Sequence, residues 1–318
     1  MPDDRPTIAG LGEFGLIAEL TRGRVQPAST VLGPGDDAAV VATPDGRVVA
    51  TTDVLVAGVH FRLDWSTPEQ VGRKAAAANL ADVAAMGAVP TALLVGLAAP
   101  ADTPVETVAG LADGLWAEAA VVGAGLVGGD VVTSATLTLA ITALGSLEGR
   151  APVTRSGARP GDVVALAGRL GWAAAGLAVL QRGFRSPGAV VAAHRVPEPP
   201  YAAGPAAAVA GATAMIDVSD GLLADLTHIA AASGVVIDVR RPGVPQKLLE
   251  VGAALGVDPV SFLLTGGEDH ALVATFPADA ALPPGFTPIG EVRAGDAAVL
   301  VEGRPYDGDP GWTHFAGS

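Results

Sequence analysis

The sequence contains no cysteine, which excludes disulfides, thiolate metal centres and cysteine nucleophiles. Aromatic residues make up only 4%, and lysine occurs twice, as Lys74 and Lys247. The phosphate-loop pattern ending in Gly-Lys-Ser/Thr is therefore absent, and a bound nucleotide needs another design. Basic residues are scarce as a class. Lys+Arg is 19 against Asp+Glu 33, for a net charge of −14. Such a surface repels polyanions and argues against nucleic-acid binding. The opening MPDDRPTIAG has no basic region followed by an apolar run, so no secretory signal is expected. The uncharged run Val131–Leu147 is studded with Thr and Ser and alternates like a strand, unlike a membrane helix. These absences together predict a cytoplasmic protein with no membrane partner.

What is present is mostly small and apolar: half of the 318 residues are hydrophobic, much of that alanine. That length suits two domains of ordinary size. The segment TRSGARPGD, residues 154–162, is polar and turn-rich and marks a division into domains 1–150 and 151–318. In the first, GEFGLIAEL predicts a short helix. GPGDDAAVVA and RVVATTDVLVAGVHF predict two strands joined as a hairpin by Pro44-Asp45-Gly46. Thr67 to Met86 predicts an amphipathic helix stopped by Gly87, with Asn79 and Asp82 on one face. A strand (TALLVGLAA), a helix over 105–121, a loop (GAGLVGGD) and a strand (ATLTLAITALG) follow. In the second, VVALAG, the helix GWAAAGLAVL, an irregular region over 182–205, a helix near Ala206, the strand AMIDV and the helix LLADLTHIAAAS succeed one another. A Gly-Gly-Glu-Asp turn flanked by apolar strand comes later. The class is mixed α/β.

Two stretches fit G-x-G-x-x-G, over 10–15 and 123–128, but neither has a strand before and a helix after it, so a dinucleotide site is rejected. A different pattern carries more weight. Asp37, Asp53, Asp82, Asp130, Asp217 and Asp220 each stand at or near an element terminus, beside glycine, serine or threonine. Any one alone reads as a turn or cap aspartate. Their repetition in a lysine-poor chain suits magnesium held against phosphates, because magnesium prefers hard oxygen ligands from one or two carboxylates plus substrate phosphate. His60 reads either as a structural donor at a strand end or as a substrate contact. Arg155 is either an exposed boundary residue or a bidentate phosphate ligand. Glu268 and Asp269 are solvated turn residues unless the Gly266-Gly267 pair brings backbone close to a ligand. Trp312 is most simply a packing aromatic.

Taken together, GPGDDAAV, TTDVLVAGVHF, NLADVAAMGAVP, GGD, TRSGARPGD, IDVSDGLLADL and LTGGEDH resemble the thiamine-monophosphate kinases, in the same order and at similar spacing. The resemblance covers nearly the whole chain. It implies the two-domain aminoimidazole-ribonucleotide synthetase-like α/β fold, with N-terminal domains pairing through their sheets in a homodimer. It also implies ATP-dependent phosphorylation of thiamine monophosphate, with several magnesium ions. By the same resemblance Asp37, Thr51, Thr52, Asp53, Asp82, Asp130, Asp217 and Asp220 are metal ligands, Asp37, Asp53 and Asp130 being central to catalysis. Gly129, Asp130, Arg155 and Ser219 meet ATP, and His60, Glu268 and Trp312 meet the thiamine moiety. After Gly-Gly-Glu-Asp this chain has His270 where the family carries tyrosine. The alternatives are an aminoimidazole-ribonucleotide synthetase-like enzyme and a catalytically silent ATP-binding subunit. The missing cysteine sets aside the selenophosphate synthetases and hydrogenase-maturation relatives.

Overall fold

The computed structural model describes residues 8–32 and 39–312, which divide into two compact units. The first comprises Met1–Val83 with Val89–Glu148, the second Ala84–Ala88 with Gly149–Ser318. In the first unit the elements are α1 (Ile8–Thr21), β1 (Thr30–Leu32), β2 (Val40–Val41), β3 (Val49–Val56), α2 (Pro68–Ala85), β4 (Val89–Ala99), α3 (Val105–Val122), β5 (Gly125–Thr133) and β6 (Thr138–Ser146). Thr67-Pro68-Glu69-Gln70 starts α2 as a capping box: the Gln70 N–H donates to Thr67 Oγ1 at 3.3 Å, and the Thr67 N–H donates to Gln70 Oε1 at 3.0 Å. Glycine then sets how closely the helices meet. A Cβ on Gly72 would stand 2.0 Å from the Leu111 carbonyl oxygen, and one on Gly114 1.9 Å from that of Glu69. Only hydrogen fits at either contact. The sheet order is β3-β6-β4-β5, with β4 and β5 parallel across the α3 crossover and the other pairs antiparallel.

Two expectations fail here. The predicted hairpin does not form: β2 pairs with β1, and β3 pairs along its whole length with β6, from Val49↔Gly145 to Val56↔Thr138. Eight residues of continuous ladder outweigh a local turn: each paired residue adds backbone hydrogen bonding, and Leu55 is carried into the core. The segment read as a loop, GAGLVGGD, is mostly strand. Gly123 caps α3 in the left-handed conformation at φ 71°, and β5 starts two residues later.

The second unit contains β7 (Val163–Ala167), α4 (Trp172–Gln181), α5 (Gly188–Arg195), α6 (Ala203–Val209), β8 (Ala214–Val218), α7 (Leu222–Ser233), β9 (Val236–Val239), α8 (Gln246–Leu255), α9 (Pro259–Leu264), β10 (Ala271–Phe276), β11 (Phe286–Arg293), β12 (Ala298–Val301) and β13 (Arg304–Pro305). They build a seven-stranded sheet in the order β13-β12-β9-β11-β7-β10-β8. The region predicted to be irregular holds α5 and the start of α6, and Gly-Gly-Glu-Asp follows helix α9 instead of a strand. Short alanine-rich helices carry weak apolar periodicity, and packing against the sheet decides them. Among the described residues, no helix is long and apolar enough to cross a membrane.

Candidate active site

In the first unit, β3 lies at the sheet edge and presents alternate residues to α2. Thr51 Oγ1 donates to Asp82 Oδ2 at 2.8 Å, and the backbone N–H of Asp53 donates to Asn79 Oδ1 at 3.0 Å. Asn79, fully buried, is itself locked by a bond from its Nδ2 to the Ala75 carbonyl at 3.0 Å. Thr51, Asp53 and Asp82 therefore gather on one face. Thr52 points the other way: its hydroxyl donates to the Ile141 carbonyl at 3.0 Å and accepts from the Thr142 hydroxyl at 3.1 Å. The register places Asp53, Ile141, Val95 and Gly129 in one row, while Asp130 stands in the next, with Val54, Ala140 and Gly96. Asp130 is exposed, and its Oδ1 accepts the N–H of Val131 at 2.9 Å. Gly129 has no room for a side chain, since a Cβ would meet the Val95 carbonyl oxygen at 2.0 Å. Beyond β3, His60 Nδ1 accepts the Val56 N–H at 3.0 Å, which leaves Nε2 as the ring's donor. Asp37 lies outside the described residues.

In the second unit the antiparallel register puts the start of β10 beside the ends of β7 and β8, through Leu272↔Ala167 and Ala271↔Val218. Three loops meet at that end of the sheet: 168–171, 219–221 and 266–270. Close backbone approach fastens them. The Glu268 N–H donates to the Ser219 carbonyl at 2.8 Å, the Trp312 N–H to that of Asp220 at 2.9 Å, and a Cβ on Gly267 would stand 2.1 Å from Ser219 O. This brings Asp217, Ser219, Asp220, Glu268 and Trp312 together. Trp312 is 62% exposed among the described residues, so it does not belong to the core. Arg155, by contrast, is exposed on the segment whose backbone is bonded to Ser233.

Sequence reasoning missed Asp225. This carboxylate, 3% exposed, accepts the consecutive N–H groups of Ser219, Asp220 and Gly221 at 3.0, 3.1 and 3.1 Å, and so shapes the loop that carries two of the candidate residues. Its position in the first turn of α7, five residues after Asp220, was the available signal. Burial pushes Asp225 up to about 7, and the neighbouring Asp217 and Asp220 carboxylates add to the effect against the backbone donors. Asp217 is buried as well, with His270 Nδ1 at 3.0 Å from its Oδ2.

Among the described residues no three carboxylates or imidazoles gather closely enough to hold a metal unaided. The donors at both clusters are nonetheless hard oxygens, and the Asp217 and Asp220 carboxylates, which add to the burial that raises Asp225, make a local excess of negative charge that a cation would relieve. The residues present fit magnesium shared with phosphate oxygens.

Residues 35–147 match the family described as AIR synthase related protein, N-terminal domain, and residues 159–301 its C-terminal domain. The chain is 53% identical over 315 residues to the thiamine-monophosphate kinase of Mycobacterium tuberculosis, covering 98% of this chain and 94% of that relative. It is 45% identical over 326 residues to that of Corynebacterium glutamicum, covering 98% and 96%. The solved structure described as AaThiL complexed with AMPPCP and TMP superposes with a TM-score of 0.79 at 32% identity, over 98% of this chain and 100% of that one.

Proposed function

The chain belongs to the thiamine-monophosphate kinase family, and from that premise we propose that it transfers the terminal phosphoryl group of ATP to the phosphate of thiamine monophosphate, giving ADP and thiamine diphosphate. The observation that carries this reading is the likeness at 53% identity over nearly the full length of both chains. The acceptor is a phosphate monoester oxygen, whose second pKa of about 6 leaves it largely anionic at neutral pH. No general base is needed. The task is to align two anions that repel and to stabilise charge on the phosphoryl in flight. Asp37, Thr51, Asp53, Asp82 and Asp130 from the first unit, with Asp217 and Asp220 from the second, are our assignment for magnesium; Thr52, whose hydroxyl is turned to the opposite face of the sheet, drops out of it. When bound, the metal neutralises phosphate charge. Gly129, bare of a side chain, admits the nucleotide beside Asp130, with Arg155 and Ser219 as further nucleotide contacts. His60, Glu268 and Trp312 are assigned to the thiamine moiety: a ring N–H donor, a carboxylate for the cationic heterocycle and an exposed indole for stacking.

We further propose a homodimer formed through the face of the four-stranded sheet that carries Thr52, Val54, Ala140 and Thr142. Val54 and Val132, each 50% exposed, lie on that face and give it an apolar character that pairing would cover. The cytoplasm is the proposed location. ADP release measured with thiamine monophosphate, free thiamine and an aminoimidazole precursor tests the reaction. Turnover is expected with the first alone, because the free alcohol lacks the anionic oxygen. Equal release with thiamine refutes the mechanism.

A further inference from the structure

Glu268 is held by more than its place in the turn. Its backbone is left-handed at φ 67°, a conformation that a glutamate adopts only when its surroundings impose it, and imposed backbone of this kind concentrates at functional sites. Its side chain, 33% exposed, meets a buried partner. His194 Nδ1 lies 3.2 Å from Glu268 Oε2, an ion-pair distance outside good hydrogen-bond alignment, and the His194 side chain is 6% exposed; the contact is ionic when the imidazole is protonated. His194 sits in the last turn of α5, and α4 is what presses it there: a Cβ on Gly176 would stand 2.1 Å from Val190 O and 2.8 Å from His194 Cβ. The same helix carries the loop. Asp269 Oδ1 accepts the Ala173 N–H at 2.9 Å, and a Cβ on Gly266 would stand 2.5 Å from Ala174 Cβ. Helix α4 thus packs against both the helix that carries the histidine and the loop that carries the glutamate.

We infer that His194 is a positioning residue for Glu268, fixing the carboxylate rotamer that receives the cationic part of the acceptor; this rests on the reading of Glu268 as a thiamine contact. A carboxylate on a freely rotating side chain must be ordered when substrate binds, and the buried imidazole removes that cost beforehand. The effect belongs to acceptor binding, so it appears in KM for thiamine monophosphate and spares KM for ATP. A double-mutant cycle tests it. His194→Leu and Glu268→Gln are each expected to raise KM for thiamine monophosphate about tenfold, and the double variant to be no worse than either, as for two residues acting as a unit. His194→Asn, which keeps a donor near the Nδ1 position, is expected to recover most of the loss. If Glu268→Gln leaves that KM unchanged, the reading of Glu268 fails and takes the inference with it. If Glu268→Gln raises it while folded His194→Leu does not, or if the two effects multiply, the inference alone falls. Should His194→Leu not fold, the ¹⁵N shift of the His194 ring in the wild type and in Glu268→Gln decides: a shift between them supports the coupling, and identical signals overturn it.

Discussion

Replacing Asp269 tests how the Gly-Gly-Glu-Asp loop is held. This carboxylate is 4% exposed, accepts the N–H groups of Ala173 and Gly171 at the start of α4, and leaves Oδ2 with no partner among the described residues. Burial pushes it up from an ordinary 3.8 to about 6, against the pull of the two backbone donors and of Arg169 and His270. Between those two values the native state holds a proton that the unfolded chain has already released, so stability falls as pH rises from about 4 to 6 and is level above that. Two pH units at about 1.4 kcal/mol each give a loss of ~3 kcal/mol. Asp269→Asn cannot ionise, keeps an acceptor for the backbone and fills the place of the bare oxygen with an amide. At pH 8 it is expected to be about 1–3 kcal/mol more stable than the wild type, and at pH 4.5 about equal. Asp269→Ala strands two N–H groups, costing about 1–3 kcal/mol for each. Chemical unfolding followed by tryptophan fluorescence from pH 4.5 to 8 measures all three, with Trp172 beside the affected cap. A wild-type curve flat across this range, or an asparagine variant as unstable as the alanine one at pH 8, refutes the reasoning.

Asp53→Asn is expected to lower kcat on the order of 10²- to 10³-fold by removing charge stabilisation of the transition state, while keeping the fold, because the near-isosteric amide leaves the backbone bond to Asn79 in place. Near wild-type turnover in saturating magnesium would show that Asp53 is no ligand. Gly129→Ala must displace β5 from the Val95 carbonyl, so a thermal scan should show a loss of roughly 1–3 kcal/mol with weakened ATP binding. Initial rate at saturating MgATP is expected to rise with free magnesium more steeply than a single-site curve, and ATP should raise the melting temperature with magnesium but little in chelator. A hyperbola complete at one equivalent of ATP, with equal stabilisation in chelator, would mean that the aspartates serve as turns and caps.

Long elements with strong periodicity or clear punctuation were legible in the residues. Helix α2 announces itself by Thr67-Pro68-Glu69-Gln70 at its start and Gly87 beyond its end, and β8 by AMIDV, apolar but for Asp217 and closed with Ser219-Asp220-Gly221. Strand β5 was misread because GAGLVGGD is glycine-rich, and glycine marks either a turn or a strand where backbones approach. Only the Val95 carbonyl lying 2.0 Å from an absent Cβ shows which. The strand partners of β3 were equally out of reach: a hairpin is a local statement, whereas pairing with β6 closes a loop of some eighty residues that nothing in the intervening text encodes.

The chemistry of the candidate site divides along the same line. Residue types alone set its character, since a chain with two lysines, no cysteine, five histidines and recurrent aspartates beside glycine offers a phosphate-bound cation mainly oxygen donors. Which aspartates serve was a tertiary matter. Asp82 is turned to Thr51 by helix packing, Thr52 is carried to the opposite face by the two-residue period of its strand, and Asp225, apart from the motif's first two aspartates, is folded back under the loop to accept three of its N–H groups. His194 lies 74 residues before Glu268 in the sequence, and they meet because Gly176 lets two helices close to contact. Composition constrains which chemistry is possible, but a side chain acquires its role from the neighbours that desolvate and orient it, and those are supplied by packing between segments distant in the chain.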